Sequence, residues 1–94
     1  MLFMVEMTVN VPHDIDKQYL DRLKAMERER SEALQVQGKW RHLWRVAGRY
    51  ANVSIFDVAD PGELHDIMIN LPLYPFMDVR VTALCHHLSA IHRD

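Results

Sequence analysis

The sequence is poor in the residues that mark several common classes of functional site. It has one cysteine, three glycines and no apolar run near the ~20 residues that a membrane span needs. The lone Cys85 excludes an internal disulfide, and the isolated glycines exclude a glycine-rich phosphate loop. Within residues 1–11 the apolar residues are interrupted by Glu6, Thr8 and Asn10, unlike a secretory leader. We therefore expect a cytoplasmic protein without a membrane-spanning segment.

Charge of neither sign is in large excess. Lys and Arg number 11, Asp and Glu number 13, and the net charge is -2. A surface that binds nucleic acid or an anionic membrane is usually strongly basic, so we expect neither partner. Hydrophobic residues make up 49% of the 94 residues, which is typical of a folded chain. We predict one domain over residues 1–94, with part of its apolar surface in subunit contacts.

Two kinds of periodicity divide the chain into six elements and a tail. Alternation of apolar and polar residues predicts strands over residues 2–11, 39–47, 50–58 and 77–85. Recurrence of apolar residues at three- and four-residue steps predicts helices over residues 15–37 and 61–70. Residues 86–94 form a polar tail. The element order is therefore β-α-β-β-α-β.

This order is that of the ferredoxin-like fold, an α+β arrangement of two helices on one face of a four-stranded antiparallel sheet. Strict alternation in the third element places Trp40 and Trp44 on one face and Leu43 on the other. In the strand that follows, Ile55 and Phe56 also point to opposite faces. Because a sheet with apolar groups on both faces must bury both, we predict homo-oligomerisation through the face without helices.

One carboxylate, Glu27, falls within the apolar stripe of the first helix. At roughly 100° per residue it lies one turn beyond Leu23 and seven residues before Leu34. Burial raises the pKa of a carboxyl group toward the range that is useful for moving protons. Glu27 is therefore the first candidate for a catalytic residue. The simpler interpretation is an ion pair with Arg30 at the edge of the stripe.

The predicted hairpin around Gly48-Arg49 is rich in cationic and aromatic side chains. Cations bind carboxylates and aromatic rings exclude water, so one interpretation is a pocket for a small anion. A second is a sheet on which aromatic side chains stack RNA bases, against which the net charge and the lack of an RNP-type motif argue. A third is that the arginines are solvated or form salt bridges between subunits.

The histidines, serines and cysteine do not form a recognisable site in the sequence. The one metal-ligating cluster, Cys85, His86, His87 and His92, lies at a strand end where adjacent side chains point to opposite faces. None of the serines lies in a nucleophile elbow, and Cys85 next to His86 is weak evidence for a thiol nucleophile. We expect no metal site.

Five strings of residues are distinctive. They are residues 38–45 (GKWRHLWR), 50–52 (YAN), 54–58 (SIFDV), 71–78 (LPLYPFMD) and 81–85 (VTALC). With these strings the chain, from about residue 1 to 87, strongly resembles the muconolactone delta-isomerase family. The family typically has Phe and Tyr where this chain has Tyr74 and Phe76, and its tail often has proline where this chain has Leu88.

The resemblance implies an enzyme of aromatic catabolism, in the catechol branch of the 3-oxoadipate pathway. It implies conversion of muconolactone to 3-oxoadipate enol-lactone without a cofactor or metal. It also implies the ferredoxin-like fold and a homo-oligomer in which dimers assemble into a decamer. A closely related family dehalogenates 5-chloromuconolactone, which is the alternative activity.

The reaction implied is a 1,3-proton shift through a dienolate, for which one carboxyl group is enough if it reaches both carbons. We expect Glu27 to move the proton. Tyr50 and Asn52 lie on one strand face and are the expected hydrogen-bond donors to the lactone oxygen, where negative charge builds up.

Four further residues are expected to bind the substrate. Lys39 or Arg41 is expected to hold the substrate carboxylate, Trp40 to form a wall of the pocket, and His65 to lie near the start of the second helix. A non-catalytic module that binds aromatic acids would share these residues. A test for isomerisation separates that module from an enzyme.

Overall fold

A computed structural model describes residues 1–92 and contains all six predicted elements. The strands and helices are β1 (Leu2–Val9), α1 (Lys17–Val36), β2 (Trp40–Arg45), β3 (Ala51–Asp57), α2 (Pro61–Ile69) and β4 (Met77–Leu84). A short 3-10 helix, Tyr74–Phe76, leads into β4. Each observed end lies within two residues of the predicted one. The end of the predicted tail, Arg93 and Asp94, lies outside the described residues.

The four strands form one antiparallel sheet in the order β2-β3-β1-β4. The first and third strands are therefore central, as the ferredoxin-like prediction requires, and that prediction is confirmed. Each helix begins at an aspartate whose side chain accepts a backbone N–H. Asp16 accepts from Tyr19 at 2.9 Å, and Asp60 accepts from Glu63 at 2.8 Å. In the part of the chain described, no helix is long and apolar enough to span a bilayer.

The core lies between one face of the sheet and both helices. On β1 the alternate residues Phe3, Val5 and Met7 are buried. They pack with Leu34 of α1 and with a cluster of buried residues on α2. We call this side the helix-facing side of the sheet, and the opposite side the open face.

The open face also has apolar groups. Met4, Val53 and Ile55 are half-buried there, and Trp44 is 55% exposed. In the sheet register Met4 lies opposite Ile55, and Trp44 lies opposite Val53. Val53 and Ile55 are two residues apart on β3, so the four side chains form one apolar area. Homo-oligomerisation through this face stays a prediction.

A register shift in β2 corrects the predicted faces of the hairpin. The shift lies between Trp40 and His42. Trp40 pairs with Phe56 on the helix-facing side and is 3% exposed, whereas Trp44 lies on the open face. The prediction that both tryptophans share a face is therefore wrong. An extra residue reverses the alternation of side chains on the two sides of a bulge, and this places Trp40 on the same side as Leu43.

Candidate active site

A cavity of about 710 Å³ lies between α1, the β2–β3 hairpin and the loop that precedes β4. Its polar lining consists mainly of one carboxylate, three cations and two neutral hydrogen-bonding groups. These are Glu27, Lys24, Arg28, Arg45, Tyr50 and Asn52. The structure thus places all three residues predicted to be catalytic around one space.

Glu27 projects from α1 toward the proline-flanked loop at residues 71–75. One carboxylate oxygen, Oε1, accepts the backbone N–H of Leu73 at 2.8 Å. The other oxygen, Oε2, is buried and has no hydrogen-bond partner among residues 1–92. Burial raises the pKa of Glu27, while the Leu73 N–H and the charge of Arg30 act in the opposite direction. The carboxyl group is therefore held at one oxygen, while the other is buried without a hydrogen-bond partner.

The simpler interpretation of Glu27 predicted an ion pair with Arg30. Within residues 1–92 no salt bridge joins these two side chains, and Arg30 is exposed. The partner of the Glu27 carboxylate is Leu73 instead of Arg30, and the sequence did not predict this contact. Its contribution comes from a backbone N–H, which leaves no signal in the identity of the side chain.

Tyr50 lies at the end of the hairpin loop that joins β2 to β3. Gly48 in this loop has φ of 78°, the left-handed conformation that a tight hairpin turn favours. Lys24 Nζ and Arg45 Cζ each lie 5.5 Å from the centroid of the Tyr50 ring. Burial raises the pKa of Tyr50, Arg45 lowers it and Glu27 raises it again. The pKa of Tyr50 thus lies above its usual value, so the phenol is protonated at neutral pH and its hydroxyl can donate a hydrogen bond.

Trp40 forms part of the wall of the cavity, as the sequence predicts. Its ring packs on Phe56, with 4.8 Å between the ring centroids. Its indole Nε1–H is buried and has no acceptor among the residues that the structure describes. An unsatisfied buried polar group costs about 1–3 kcal/mol. Two residues of the cavity lining, Glu27 and Trp40, therefore each have a buried polar atom without a hydrogen-bond partner among residues 1–92.

Three cations line the cavity and were missed in the sequence. Lys24 and Arg28 come from α1, and Arg45 comes from the end of β2. Within residues 1–92 none of the three forms a salt bridge with a carboxylate. For Arg45 a signal was present. A two-residue turn at Gly48-Arg49 places Arg45 opposite Asn52, and the structure shows this pairing.

The other three predicted substrate-binding residues do not line this cavity. Lys39 pairs with Glu63 of α2, with 2.9 Å from Nζ to Oε2. Arg41 lies at the register shift in β2 and pairs with Asp57 at 3.2 Å. His65 is exposed, because the neighbouring residues of α2 are those that face the core. The single chain therefore does not bring these three side chains to the cavity, and their role in substrate binding stays a prediction.

A metal site would need several ligands that converge in space. Residues 1–92 contain no group of three or more His, Cys, Asp or Glu side chains placed to hold an ion. Cys85 is exposed and does not line the cavity. The chemistry that the cavity offers is therefore that of a carboxylate base, hydrogen-bond donors and cations.

Comparisons with known proteins point to one family. The family model described as muconolactone delta-isomerase matches residues 1–90. Muconolactone delta-isomerase 2 of Acinetobacter lwoffii is 60% identical over 94 residues, which is 100% of this chain and 98% of that protein. Muconolactone delta-isomerase of Pseudomonas aeruginosa is 53% identical with the same coverage. A crystal structure of muconolactone isomerase is similar with a TM-score of 0.94 and 53% identity, covering 100% of this chain and 98% of that one.

Proposed function

The chain belongs to the muconolactone delta-isomerase family, and we propose that it converts muconolactone to 3-oxoadipate enol-lactone in aromatic catabolism. The family assignment supports the reaction, and the mechanism depends on one observation: Glu27 lines the cavity and its Oε2 is buried without a hydrogen-bond partner. Curated relatives that are 44% to 60% identical all have the name muconolactone delta-isomerase. Their names favour isomerisation over the alternative, dehalogenation of 5-chloromuconolactone.

Glu27 acts as the base in this proposal. Its carboxylate removes the proton from the ring carbon that bears the carboxymethyl arm, and the C–H electron pair enters the ring to give a dienolate. The same carboxyl group then returns the proton to the carbon beside the lactone carbonyl, so the double bond moves and no other atom is gained or lost. The raised pKa makes Glu27 a stronger base than an ordinary carboxylate.

Hydrogen-bond donors stabilise the negative charge that builds on the lactone oxygen. Tyr50, Asn52 and Trp40 all line the cavity, and the proposed donors are their hydroxyl, amide and indole N–H groups. A preorganised donor at such an oxygen typically contributes about 10²–10³ in rate. Because the Trp40 N–H has no acceptor within the described chain, a substrate oxygen satisfies it without breaking an existing hydrogen bond.

The carboxylate of the substrate arm binds to the cavity cations. Arg45 is the preferred residue, because it lies opposite Asn52 on the helix-facing side and close to Tyr50. Lys24 and Arg28 add positive charge from the facing helix. A guanidinium can hold both oxygens of a carboxylate, which also fixes the orientation of the ring.

We further propose that the chain assembles through its open face, into dimers that form a decamer. The apolar area made by Met4, Trp44, Val53 and Ile55 supports this, since large apolar patches on a monomer usually mark an interface. The single cysteine fits a cytoplasmic, reducing location. No cofactor or metal is part of the proposal.

The direct test is a turnover assay of the purified protein with muconolactone and 5-chloromuconolactone in parallel. We expect loss of the muconolactone absorbance and appearance of the enol-lactone by NMR, with slower or no release of chloride from the chlorinated lactone. Faster chloride release than isomerisation would favour the dehalogenase. No reaction with either lactone, from a protein that remains folded, would favour a non-catalytic binding module.

A further inference from the structure

Ser54 is a fully buried hydroxyl that lies beside the cavity and does not line it. It occupies the middle of β3, opposite Val5 on β1 and Leu43 on β2, and its exposed fraction is 0%. A buried hydroxyl that lacks a partner costs about 1–3 kcal/mol. A serine in this core therefore depends on the hydrogen bond that it makes.

That hydrogen bond goes to a residue of the proposed site. Ser54 Oγ–H donates to Asn52 Oδ1 at 2.7 Å. The two side chains lie two residues apart on the same face of β3, so the strand itself holds them side by side. Among residues 1–92, Asn52 is the only side chain that bonds to the Ser54 hydroxyl.

A second neighbour of Asn52 favours the same orientation of its amide. Asn52 Nδ2 lies 3.7 Å from Met7 Sδ, across the pairing of β3 with β1. A thioether sulfur accepts weakly and cannot donate. If the amide were turned over, its oxygen would face the sulfur, and the hydrogen of the Ser54 hydroxyl would lose its acceptor. Both neighbours therefore select one orientation, with the oxygen toward Ser54.

We propose that Ser54 is a positioning residue for the isomerisation, which fixes the Asn52 amide so that its NH₂ group serves the bound substrate. This inference rests on the proposed function. With Oδ1 accepting from Ser54 and one amide N–H directed at Met7 Sδ, the second N–H of Asn52 is the group left to donate to a molecule in the cavity. A fixed donor stabilises the dienolate oxygen without reorganisation, whereas an inverted amide would present an oxygen to a negative charge.

The test is a double-mutant cycle with Ser54→Ala and Asn52→Ala. Ser54→Ala removes one buried oxygen and leaves the packing otherwise intact, so we expect the chain to fold. We expect kcat for muconolactone to fall about three- to tenfold with KM nearly unchanged, as expected for one hydrogen bond. In the Asn52→Ala background the same change should have no further effect on kcat. Ser89→Ala, the same substitution in the exposed tail, should leave both constants at the wild-type values.

Three results of these measurements would contradict the positioning role of Ser54. Wild-type kinetics of Ser54→Ala would overturn the role of Ser54 and leave the proposed function in place. An equal fall of kcat with and without Asn52 would also overturn it, because Ser54 would then act through general packing. No turnover by the wild-type protein would instead overturn the proposed function, and the inference with it.

Discussion

Replacing Glu27 with Gln tests the proposed mechanism most directly. The amide has nearly the same size as the carboxyl, and its oxygen can still accept the Leu73 N–H that now lies 2.8 Å from Oε1. It cannot take a proton at the ring carbon. Among residues 1–92, Glu27 is the one carboxylate that lines the cavity, so no other acidic side chain can replace it as the base.

The expected loss follows from this absence of a second base. General acid–base catalysis by a positioned side chain contributes about 10²–10⁴ in rate. Since Glu27 both removes and returns the proton, we expect kcat to fall at least a thousandfold, which is about 4 kcal/mol of activation free energy. We expect KM to change little, because the cations that bind the substrate arm remain.

Although Glu27→Gln lowers kcat, it should not lower the free energy of unfolding. The folded-state pKa of Glu27 lies above its unfolded value, so ionisation opposes folding as the pH rises through and beyond these pKa values. Glu27→Gln removes that cost, so the variant should be at least as stable as the wild type at neutral pH. Thermal unfolding measured at several pH values should show the difference shrink toward acid pH.

The measurement is the rate of loss of muconolactone absorbance, with Glu29→Gln as the matched control. Glu29 is exposed on the same helix, so the control makes the same chemical change outside the cavity. Turnover by Glu27→Gln within tenfold of the wild type, in a protein with unchanged circular dichroism, would refute the role of Glu27. The same rate loss in Glu29→Gln would point to a helix defect instead.

Three further predictions follow from the cavity. Tyr50→Phe should lower kcat about a hundredfold in the turnover assay by removing one donor to the lactone oxygen; a change under threefold would exclude that role. Arg45→Ala should raise KM for muconolactone more than it lowers kcat. Arg41→Ala should leave KM unchanged, because Arg41 pairs with Asp57 outside the cavity. A rise of KM in Arg41→Ala but not in Arg45→Ala would restore Arg41 as the binding residue. In a pH–rate profile, kcat should fall toward acid pH with an apparent pKa above that of an ordinary glutamate, since protonated Glu27 is no base; a flat profile down to pH 4 would contradict this.

The location of Glu27 could be predicted from the sequence because helical periodicity is a local property. Each residue turns the helix by a fixed angle, so the apolar stripe through Leu23 and Leu34 brings Glu27 to the buried side. The partner of Glu27 could not be predicted in this way. It is the backbone of Leu73, which is 46 residues away in sequence. Proximity of that kind depends on how the loop before β4 folds over α1.

For the cations of the site, too, the sequence could predict only part of the arrangement. Arg41 was a reasonable prediction for the substrate carboxylate, but one extra residue in β2 places it beside Asp57. Arg45 lies beyond the shift and lines the cavity. Side chains alternate strictly along a regular strand, so a single bulge reverses which residues share a face. Residues 40–45, which form β2, contain no glycine or proline that would mark such a bulge.

The sequence by itself determined the six elements, their order and the faces of β1 and β3, because periodicity reports which side of each element is buried. It also determined the family, through strings of residues that extend along most of the chain. Only the tertiary structure decided which residues surround the cavity. It brought Arg45 to the cavity that Glu27 lines and the Leu73 N–H to the Glu27 carboxylate, and it directed Lys39, Arg41 and His65 elsewhere. These placements follow from strand register and loop packing, which join residues far apart in the chain and leave no periodic pattern.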